Sequence, residues 1–380
     1  MKQLILVPFL THTLAWFPAD YSESRLKFRN NYPDYKSYIV PSKVDKDLTI
    51  DYVYHKNEIK SKKLLIINTG IHGPEGYIGG AALELFKESF YHKLQGQNVD
   101  MLLIHAMNPY GFKYSRRFTE NNVDLNRNQV IEPSIFKKEN EAYTNLKSML
   151  TPEKKVNSIR GSYYNIFRKI ISMLFSGTKL QEIREATAKG QYHDQEGIFF
   201  GGSELEPNSK FIQDLLKRVT RDREDILLLD FHTGLGDRSK LHLIQTSFKN
   251  DESKKFLEDL FPESNDYLVT TPDSPGFYKA DGDLLDFLTQ TSPEKSRVIS
   301  LAAEFGTIGR GVFSQISTIN RVILENQGHF HGYENDKIQA DVQLYFMDLF
   351  NPRDYSWQAK VLERTYKMFS GPVMKWATKK

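Results

Sequence analysis

The sequence contains no cysteine, and this absence excludes several kinds of chemistry at once. A chain of 380 residues without cysteine has no disulfides, no thiolate metal ligands and no cysteine nucleophile. The absence does not fix the compartment, because secreted proteins without disulfides exist. Any metal site in this chain must therefore be built from histidine nitrogens and carboxylate oxygens.

A large excess of charge of one sign is also missing. The chain carries 51 Lys and Arg against 48 Asp and Glu, a net charge of +3. No basic stripe interleaved with aromatic residues is present, so the sequence does not predict binding to nucleic acid. A hydrophobic content of 39% with 26% charged residues is typical of a soluble globular protein.

Long hydrophobic runs are absent too. No stretch reaches the ~18 apolar residues that a membrane span requires, so no span is predicted. The short apolar run Leu4–Leu10 contains Pro8 and is followed by Thr11 without a clear cleavage signal. These features favour a first strand or an irregular arm over a short signal sequence at 1–16. They also favour a cytoplasmic location over a periplasmic or secreted one.

The sequence instead contains short apolar runs that alternate with helical patterns. Such runs of four to eight residues are typical of buried strands, and their alternation with helices is typical of a parallel sheet. We predict an α/β fold, a single domain whose mixed, largely parallel central β-sheet is flanked by helices. The four predicted buried strands are 64–67, 99–106, 226–231 and 298–303. Further strands are predicted at 241–246 and 267–271, with an edge strand at 49–54.

The chain shows no internal repeat and no low-complexity linker, which favours one main domain. We assign residues 1–45 to an N-terminal entry segment and 46–350 to the catalytic domain. A helical insert interrupts this domain at about 131–200, and residues 351–380 form a C-terminal extension. The segment after residue 335 is expected to be helical.

Side chains that can bind a metal ion, transfer a proton or form hydrogen bonds follow the four predicted buried strands. His72 and Glu75 follow the first strand and Asn108 follows the second, whereas His232 and Glu304 follow the third and fourth. Ligands of open α/β sheets bind beyond the carboxyl ends of the strands. A carboxylate directly after an apolar run is costly unless it is paired or functional. We therefore expect these residues to converge on one site.

The His-x-x-Glu pair at 72–75 is weak evidence when taken alone, because most such pairs are solvated loop residues. Here it lies on a loop with Gly70, Pro74 and Gly76, which exclude a regular helix. A histidine nitrogen and a carboxylate oxygen on a tight turn suit zinc, which needs a third protein ligand in a catalytic site.

The order of these motifs resembles that of the zinc carboxypeptidases, over roughly residues 17–330. The matching segments are His72-Gly73-Pro74-Glu75, Arg117, Asp124-Leu125-Asn126-Arg127-Asn128, His232, Tyr278-Lys279-Ala280-Asp281-Gly282 and Glu304. The segments 69–76, 230–236 and 304–307 more closely resemble a bacterial branch of that superfamily. The gap between Glu75 and His232 is longer than in the pancreatic enzymes, and we attribute it to the 131–200 insert.

The resemblance implies a zinc site and a general base. Carboxypeptidase A binds zinc through two histidines and one glutamate, and here His72, Glu75 and His232 would bind one Zn²⁺ per chain. Glu304 would take a proton from the attacking water and pass it to the leaving amine. Arg117 would stabilise the developing oxyanion.

The resemblance also implies a set of residues that bind the substrate. Asn126 and Arg127 would bind a substrate carboxylate, Arg127 through a bidentate fork. Asp124 would accept a hydrogen bond from a zinc-bound histidine. Tyr278 would be a mobile donor that closes over the substrate. Leu285 would form an apolar floor under the last side chain of the substrate.

The predicted function is that of a zinc-dependent, carboxypeptidase-type metallopeptidase that cleaves next to a free carboxylate. One alternative resembles the aspartoacylase and desuccinylase branch, which cleaves small N-acyl amino acids and usually carries a C-terminal β domain. The helical pattern after residue 335 disfavours it. A catalytically inactive binding protein is the alternative of another class, but no ligand or base is missing. Arg116, unlike Arg117, is expected to be a solvated surface residue.

Overall fold

The central element of the fold is one eight-stranded sheet. The computed structural model describes residues 14–379 except 58–60, 176–182, 184, 188, 275–276 and 278. The strand order is β1-β2-β4-β3-β5-β8-β6-β7. In chain order, β1 to β8 are Lys36–Ile39, Thr49–His55, Lys63–Thr69, Val99–His105, Asp225–Gly234, Leu241–Gln245, Tyr267–Thr270 and Arg297–Gly306.

The sheet is mixed and its centre is parallel, which confirms the predicted fold class. Strands β4, β3, β5 and β8 run parallel to one another, whereas β2 and β6 pair antiparallel with the two sides of this block. The prediction of β2 as the edge strand was wrong, because β1 pairs outside it. Strand β1 is four residues long and mostly exposed, so it has no apolar pattern that a sequence analysis could detect.

The helices cover both faces of the sheet. We number them α1 to α13 in chain order, and short turns and π-helical segments are left unnumbered. They are Tyr21–Asn31, Gly76–Phe86, His92–Gln95, Pro109–Lys113, Glu141–Leu150, Ile159–Phe175, Pro207–Thr220, Asp251–Leu260, Leu284–Thr291, Val312–His331, Asp336–Phe350, Tyr355–Met368 and Met374–Thr378. Asp20 caps α1 by accepting from the Glu23 backbone N–H at 2.9 Å.

Two apolar layers enclose the sheet. On one face, α1, α2, α8 and the C-terminal helices α12 and α13 contribute to a single buried cluster with the strands. On the other face, the sheet packs against residues of α4, α7 and α9. The C-terminal segment is therefore part of the core, as the full burial of Trp357 and Trp376 shows.

The insert predicted at about 131–200 forms a third apolar cluster together with α10 and α11. Its helices α5 and α6 contribute Tyr143, Met149 and Ile166, which pack near Ile316 and Phe346. Residues 176–182, 184 and 188 of this insert lie outside the described residues. The described residues after 335 contain helices and no strand, in agreement with the sequence. No described helix is both long enough and apolar enough to cross a membrane.

Strands β5 and β8 are longer than the apolar runs that predicted them. Their parallel register extends from Asp225 opposite Arg297 to Gly234 opposite Gly306. His232 and Glu304 therefore lie within strands and not after them, which corrects the prediction. Because side chains paired across neighbouring strands point to the same face, His232 and Glu304 are fixed side by side.

Candidate active site

The loop after β3 positions two of the predicted ligands. Gly70 has a φ of +63°, in the left-handed region that favours glycine, and turns the chain away from the strand. A Cβ on Gly73 would lie 1.9 Å from the carbonyl carbon of Gly111, so only glycine fits there. The 3₁₀ turn Gly73–Glu75 follows and brings the Glu75 side chain back towards His72.

Three potential metal ligands converge at this point. The Nδ1 atoms of His72 and His232 each lie 2.9 Å from Oε2 of Glu75. The three ligand atoms all lie within 4.8 Å of one another, and all three residues are buried. The structure thus brings together the ligands that the sequence predicted on two separate strand ends.

The outer nitrogens of both histidines face carboxylates. His72 Nε2 lies 3.2 Å from Oδ1 of Asp124, and His232 Nε2 lies 2.8 Å from Oδ2 of Asp230. The other oxygen of Asp230 accepts a hydrogen bond of 2.7 Å from the Asn68 side chain. Such partners orient an imidazole and fix its tautomer, which is the usual surrounding of a metal-binding histidine.

The charged groups of this cluster shift one another's pKa values. Burial alone would raise the pKa of Glu75, but the neighbouring His72 and His232 lower it to about 2. Burial alone would lower the pKa of His232, but the carboxylates of Asp230 and Glu75 raise it well above its usual value. Arg117 and His72 likewise outweigh burial and hold the pKa of Asp124 well below its usual range. The cluster therefore stabilises positive charge next to Glu75.

Glu304 lies between two histidines of the sheet. It is the register partner of His232 on β5 and of His242 on β6. Its Oε1 accepts a hydrogen bond of 2.8 Å from the backbone N–H of Leu235. Burial raises the pKa of the Glu304 carboxyl to about 7, because the positive charge of His232 offsets burial only in part.

Arg117 also reaches the cluster. Its Nε donates to Oδ2 of Asp124 at 3.1 Å, and one of its terminal nitrogens lies 2.8 Å from His72 Nε2. The Asn108 side chain donates to the Arg117 carbonyl at 3.2 Å and caps α4 through its oxygen. Asn108 thus supports the backbone of Arg117.

Asn126 and Arg127 lie on the 3₁₀ turn Leu125–Arg127. The Asn126 side-chain oxygen accepts from the backbone N–H of Leu284 at 3.0 Å, which connects this turn to the start of α9. The Arg127 side chain is buried against Gly190, and the Arg127 carbonyl accepts from the Tyr192 hydroxyl at 2.8 Å. The two predicted carboxylate-binding residues therefore lie between the insert and α9.

The remaining sequence predictions concern Tyr278, Leu285 and Arg116. Tyr278 lies outside the described residues, so its role stays a prediction. Leu285 is 3% exposed and belongs to the apolar cluster on the α9 side of the sheet, and its role as a pocket floor also stays a prediction. The expectation for Arg116 was wrong, because it is buried and pairs with Glu325 at 2.7 Å. Arg116 therefore belongs to a buried ion pair and is not a solvated surface residue.

Sequence analysis missed three residues that surround the site. Asp230 was read as part of an apolar run, and only its position two residues before His232 could have indicated it. His242 is buried, and its Nδ1 has no hydrogen-bond partner among the described residues. Phe199 lies close to both Arg117 and Arg127. No sequence pattern marks His242 or Phe199, because their neighbours come from distant segments.

The fold and the cluster together define an α/β protein with a candidate metal centre. The chain belongs to the family described as "Protein of unknown function (DUF2817)", whose model matches residues 17–364. A search of the curated proteins finds no match.

Solved structures that are similar in fold include metallocarboxypeptidases, the group that the sequence motifs resemble. One is carboxypeptidase A from Helicoverpa armigera, with 14% identity, a TM-score of 0.44, and coverage of 86% of this chain and 73% of that chain. Bovine thrombin-activatable fibrinolysis inhibitor, in complex with tick carboxypeptidase inhibitor, has 16% identity, a TM-score of 0.42 and coverage of 91% and 95%. A metallocarboxypeptidase from Pseudomonas aeruginosa, in complex with (2-guanidinoethylmercapto)succinic acid, has 13% identity, a TM-score of 0.42 and coverage of 86% and 70%.

Proposed function

We propose that this protein is a zinc-dependent, carboxypeptidase-type hydrolase that cleaves a peptide or amide bond next to a free carboxylate. The observation that carries the proposal is the convergence of His72 Nδ1 and His232 Nδ1 on Glu75 Oε2. Glu304 is fixed next to this cluster by its register with His232. Three ligands and a neighbouring carboxylate are the groups that a catalytic zinc site uses.

The donor set fits zinc. Two imidazole nitrogens and one carboxylate oxygen are the ligand types of hydrolytic zinc sites, which keep a fourth position for water or substrate. The carboxylates of Asp124 and Asp230 face the outer nitrogens, so each histidine can present Nδ1 as a neutral ligand. Binding a cation requires that His232 give up the proton that its carboxylate neighbours favour.

A zinc ion bound here would supply a Lewis acid that polarises a carbonyl and lowers the pKa of water towards ~7. Glu304 would act as the base. A carboxylate with a pKa of about 7 can both accept a proton and release it near neutral pH. It would take the proton of the attacking water and deliver it to the leaving amine.

Arg117 and Asp124 would act as a pair. Asp124 holds Arg117 Nε, so the guanidinium stays next to the ligand His72. In this position Arg117 can stabilise negative charge that develops on the substrate oxygen. His72 Nε2 cannot donate to Asp124 and accept from Arg117 at once. A neutral His72 that binds zinc through Nδ1 carries its proton on Nε2, donates it to Asp124 and cannot accept from Arg117, so this Arg117 N–H group would be available to a substrate oxygen.

Asn126 and Arg127 would bind the terminal carboxylate of the substrate. A guanidinium binds a carboxylate through two parallel hydrogen bonds, which selects a planar anion. Tyr278 would close over the substrate and Leu285 would contact its last side chain, which favours an apolar or aromatic residue.

One set of substrates tests the function. A blocked dipeptide with a free carboxylate, the same dipeptide as its C-terminal amide, and a small N-acyl amino acid are incubated with the zinc-loaded protein. We expect cleavage of the first substrate, and loss of this activity when a chelator removes the metal. Cleavage of the N-acyl amino acid alone supports the aspartoacylase-like alternative. Bound zinc without any hydrolysis supports an inactive binding protein.

A further inference from the structure

Phe199 has an unusual backbone conformation for its side chain. Its φ is +57°, in the left-handed region that bulky residues rarely occupy. Two backbone hydrogen bonds to Gln191 hold this segment: the Phe199 carbonyl accepts from the Gln191 N–H at 3.1 Å, and the Gly201 N–H donates to the Gln191 carbonyl at 2.8 Å. Backbone strain of this kind is concentrated at functional sites, so the contacts of the ring are of interest.

The Phe199 ring contacts both of the arginines that the proposed function uses. The guanidinium carbon of Arg117 lies 5.4 Å from the ring centroid, and that of Arg127 lies 6.0 Å away. Both distances are within the range of cation–π attraction. Two guanidinium groups near one site repel each other, and a shared aromatic ring attracts both without neutralising their charge.

The segment around Phe199 is also tied to the site through its backbone. The carbonyl of Phe200 accepts from the backbone N–H of Asp124 at 2.7 Å. Asp124 in turn contacts Arg117 and the ligand His72. The ring therefore comes from the end of the insert and is fixed relative to the cluster by one short chain of hydrogen bonds.

We propose that Phe199 is a positioning residue that holds Arg117 and Arg127 in their working orientations. The inference rests on the proposed function, since it acts through the residues assigned there to the oxyanion and to the substrate carboxylate. Core packing alone does not account for Phe199. The ring is only partly buried, whereas its neighbour Phe118 is fully buried and 6.4 Å away in an edge-on arrangement.

The kinetic test compares Phe199→Leu, which removes the ring, with Phe199→Tyr, which keeps it. We expect Phe199→Leu to lower kcat/KM on the free-carboxylate dipeptide roughly tenfold, because two cation–π contacts are lost. The loss should be smaller on the C-terminal amide, where Arg127 has no carboxylate to bind. The kcat/KM of Phe199→Tyr should stay within about twofold of the wild-type value, since tyrosine keeps an aromatic ring whose face can attract both guanidinium groups.

Phe167→Leu is the matched control, because Phe167 is a partly buried phenylalanine of the same insert that stacks on Phe313. We expect both leucine variants to lower the melting temperature by similar amounts, with only Phe199→Leu affecting catalysis. Equal kcat/KM for Phe199→Leu and the wild-type protein overturns the proposal. So does a loss in Phe199→Tyr as large as that in Phe199→Leu.

A binding experiment separates this inference from the proposed function. Calorimetry measures the affinity of the zinc-loaded protein for 3-phenylpropanoate, a carboxylate without an amide bond, and for 3-phenylpropanamide as its uncharged control. If the wild-type protein hydrolyses no peptide but Phe199→Leu weakens binding of the carboxylate severalfold, the function is wrong and the inference stands. Hydrolysis combined with unchanged binding and kcat/KM in Phe199→Leu overturns the inference alone. No binding to the wild-type protein overturns it as well.

Discussion

The two ends of the candidate site are built in different ways. The end proposed to bind the metal, here called the metal end, consists of His72, Glu75, His232 and Glu304, of which two lie within strands and two on the loop after β3. The end proposed to bind the substrate carboxylate, here called the carboxylate end, consists of Asn126, Arg127 and Phe199, which lie outside the regular strands and the numbered helices. Sheet register and the tight loop after β3 fix the first end, whereas hydrogen bonds between distant loops fix the second.

Those loop contacts are specific. Gln129 N–H donates to the Gly282 carbonyl at 2.8 Å, and the Asn126 side chain accepts from Leu284 N–H at 3.0 Å. The Tyr192 hydroxyl donates to the Arg127 carbonyl. The comparison teaches that metal binding should tolerate changes at the carboxylate end, whereas substrate recognition should not. Variants that alter one end and leave the other intact test this separation.

Removal of one histidine should abolish metal binding and activity. In His72→Ala and His232→Ala, two protein ligands are left, and zinc content measured by elemental analysis should fall to near zero. His242→Ala is the control, because His242 is a buried histidine on β6 next to the site that lies outside the ligand cluster. Full zinc occupancy in either of the first two variants would remove that residue from the coordination sphere.

Glu304→Gln should separate binding from catalysis. The amide keeps the size of the side chain and accepts from the Leu235 N–H, but it cannot take a proton. Zinc content should stay at one ion per chain while turnover falls by about 10²-fold or more. Near-normal turnover in the zinc-loaded variant would show that another group is the base.

The pH dependence of the wild-type protein should follow Glu304. Burial raises the pKa of this carboxyl to about 7, and bound zinc, being positive, would lower it from there. The base must be deprotonated, so kcat/KM should fall about tenfold per pH unit once the pH is below this pKa. The acidic limb should be absent from the residual activity of Glu304→Gln. If the acidic limb of the pH profile persists in Glu304→Gln, the titration of another group causes it.

Arg127→Lys tests the carboxylate end alone. Lysine keeps the positive charge but loses the bidentate fork, so KM for the free-carboxylate dipeptide should rise about tenfold with zinc content unchanged. The C-terminal amide of the same dipeptide should show little change. If zinc content falls in parallel with activity, the two ends of the site are not independent.

Asp283→Asn should affect stability more than catalysis. Burial raises the pKa of Asp283 to about 6, so its ionised form is disfavoured in the folded protein. Ionised Asp283 therefore costs stability as the pH rises from about 4 to 6, by roughly 3 kcal/mol at most for a shift of about two units. Asparagine can still cap α9 by accepting from the Asp286 N–H. The variant should melt at a higher temperature than the wild-type protein at pH 8 and at a similar temperature at pH 4.

Lower stability of Asp283→Asn at pH 8 would contradict this prediction. It would show that the negative charge of Asp283 is needed, and the neighbouring Arg127 would be the first partner to test. Asp20→Asn is a suitable control, because Asp20 also caps a helix by accepting from a backbone N–H but is exposed.

Much of the fold and of the metal end could be predicted from the sequence. The central strands are continuous apolar runs in the sequence. Such runs predict buried strands, because a strand that is covered on both faces has mainly apolar side chains. The predicted ligands His72, Glu75 and His232 lie just beyond the ends of these runs. The exposed strand β1 could not be predicted, because Lys36-Ser37-Tyr38-Ile39 has neither an apolar run nor an alternating pattern.

What the sequence by itself determined is the set of chemical groups and their order along the chain. Local patterns placed strands β3, β4, β5 and β8 and the loop that carries His72, since hydrophobic runs and glycines act over a few residues. The tertiary structure alone decided which distant groups meet. Arg116 was buried against Glu325, and Phe199 was placed next to Arg117 and Arg127. The physical reason is that these contacts join residues from segments far apart in the chain, and no local pattern encodes the register between such segments.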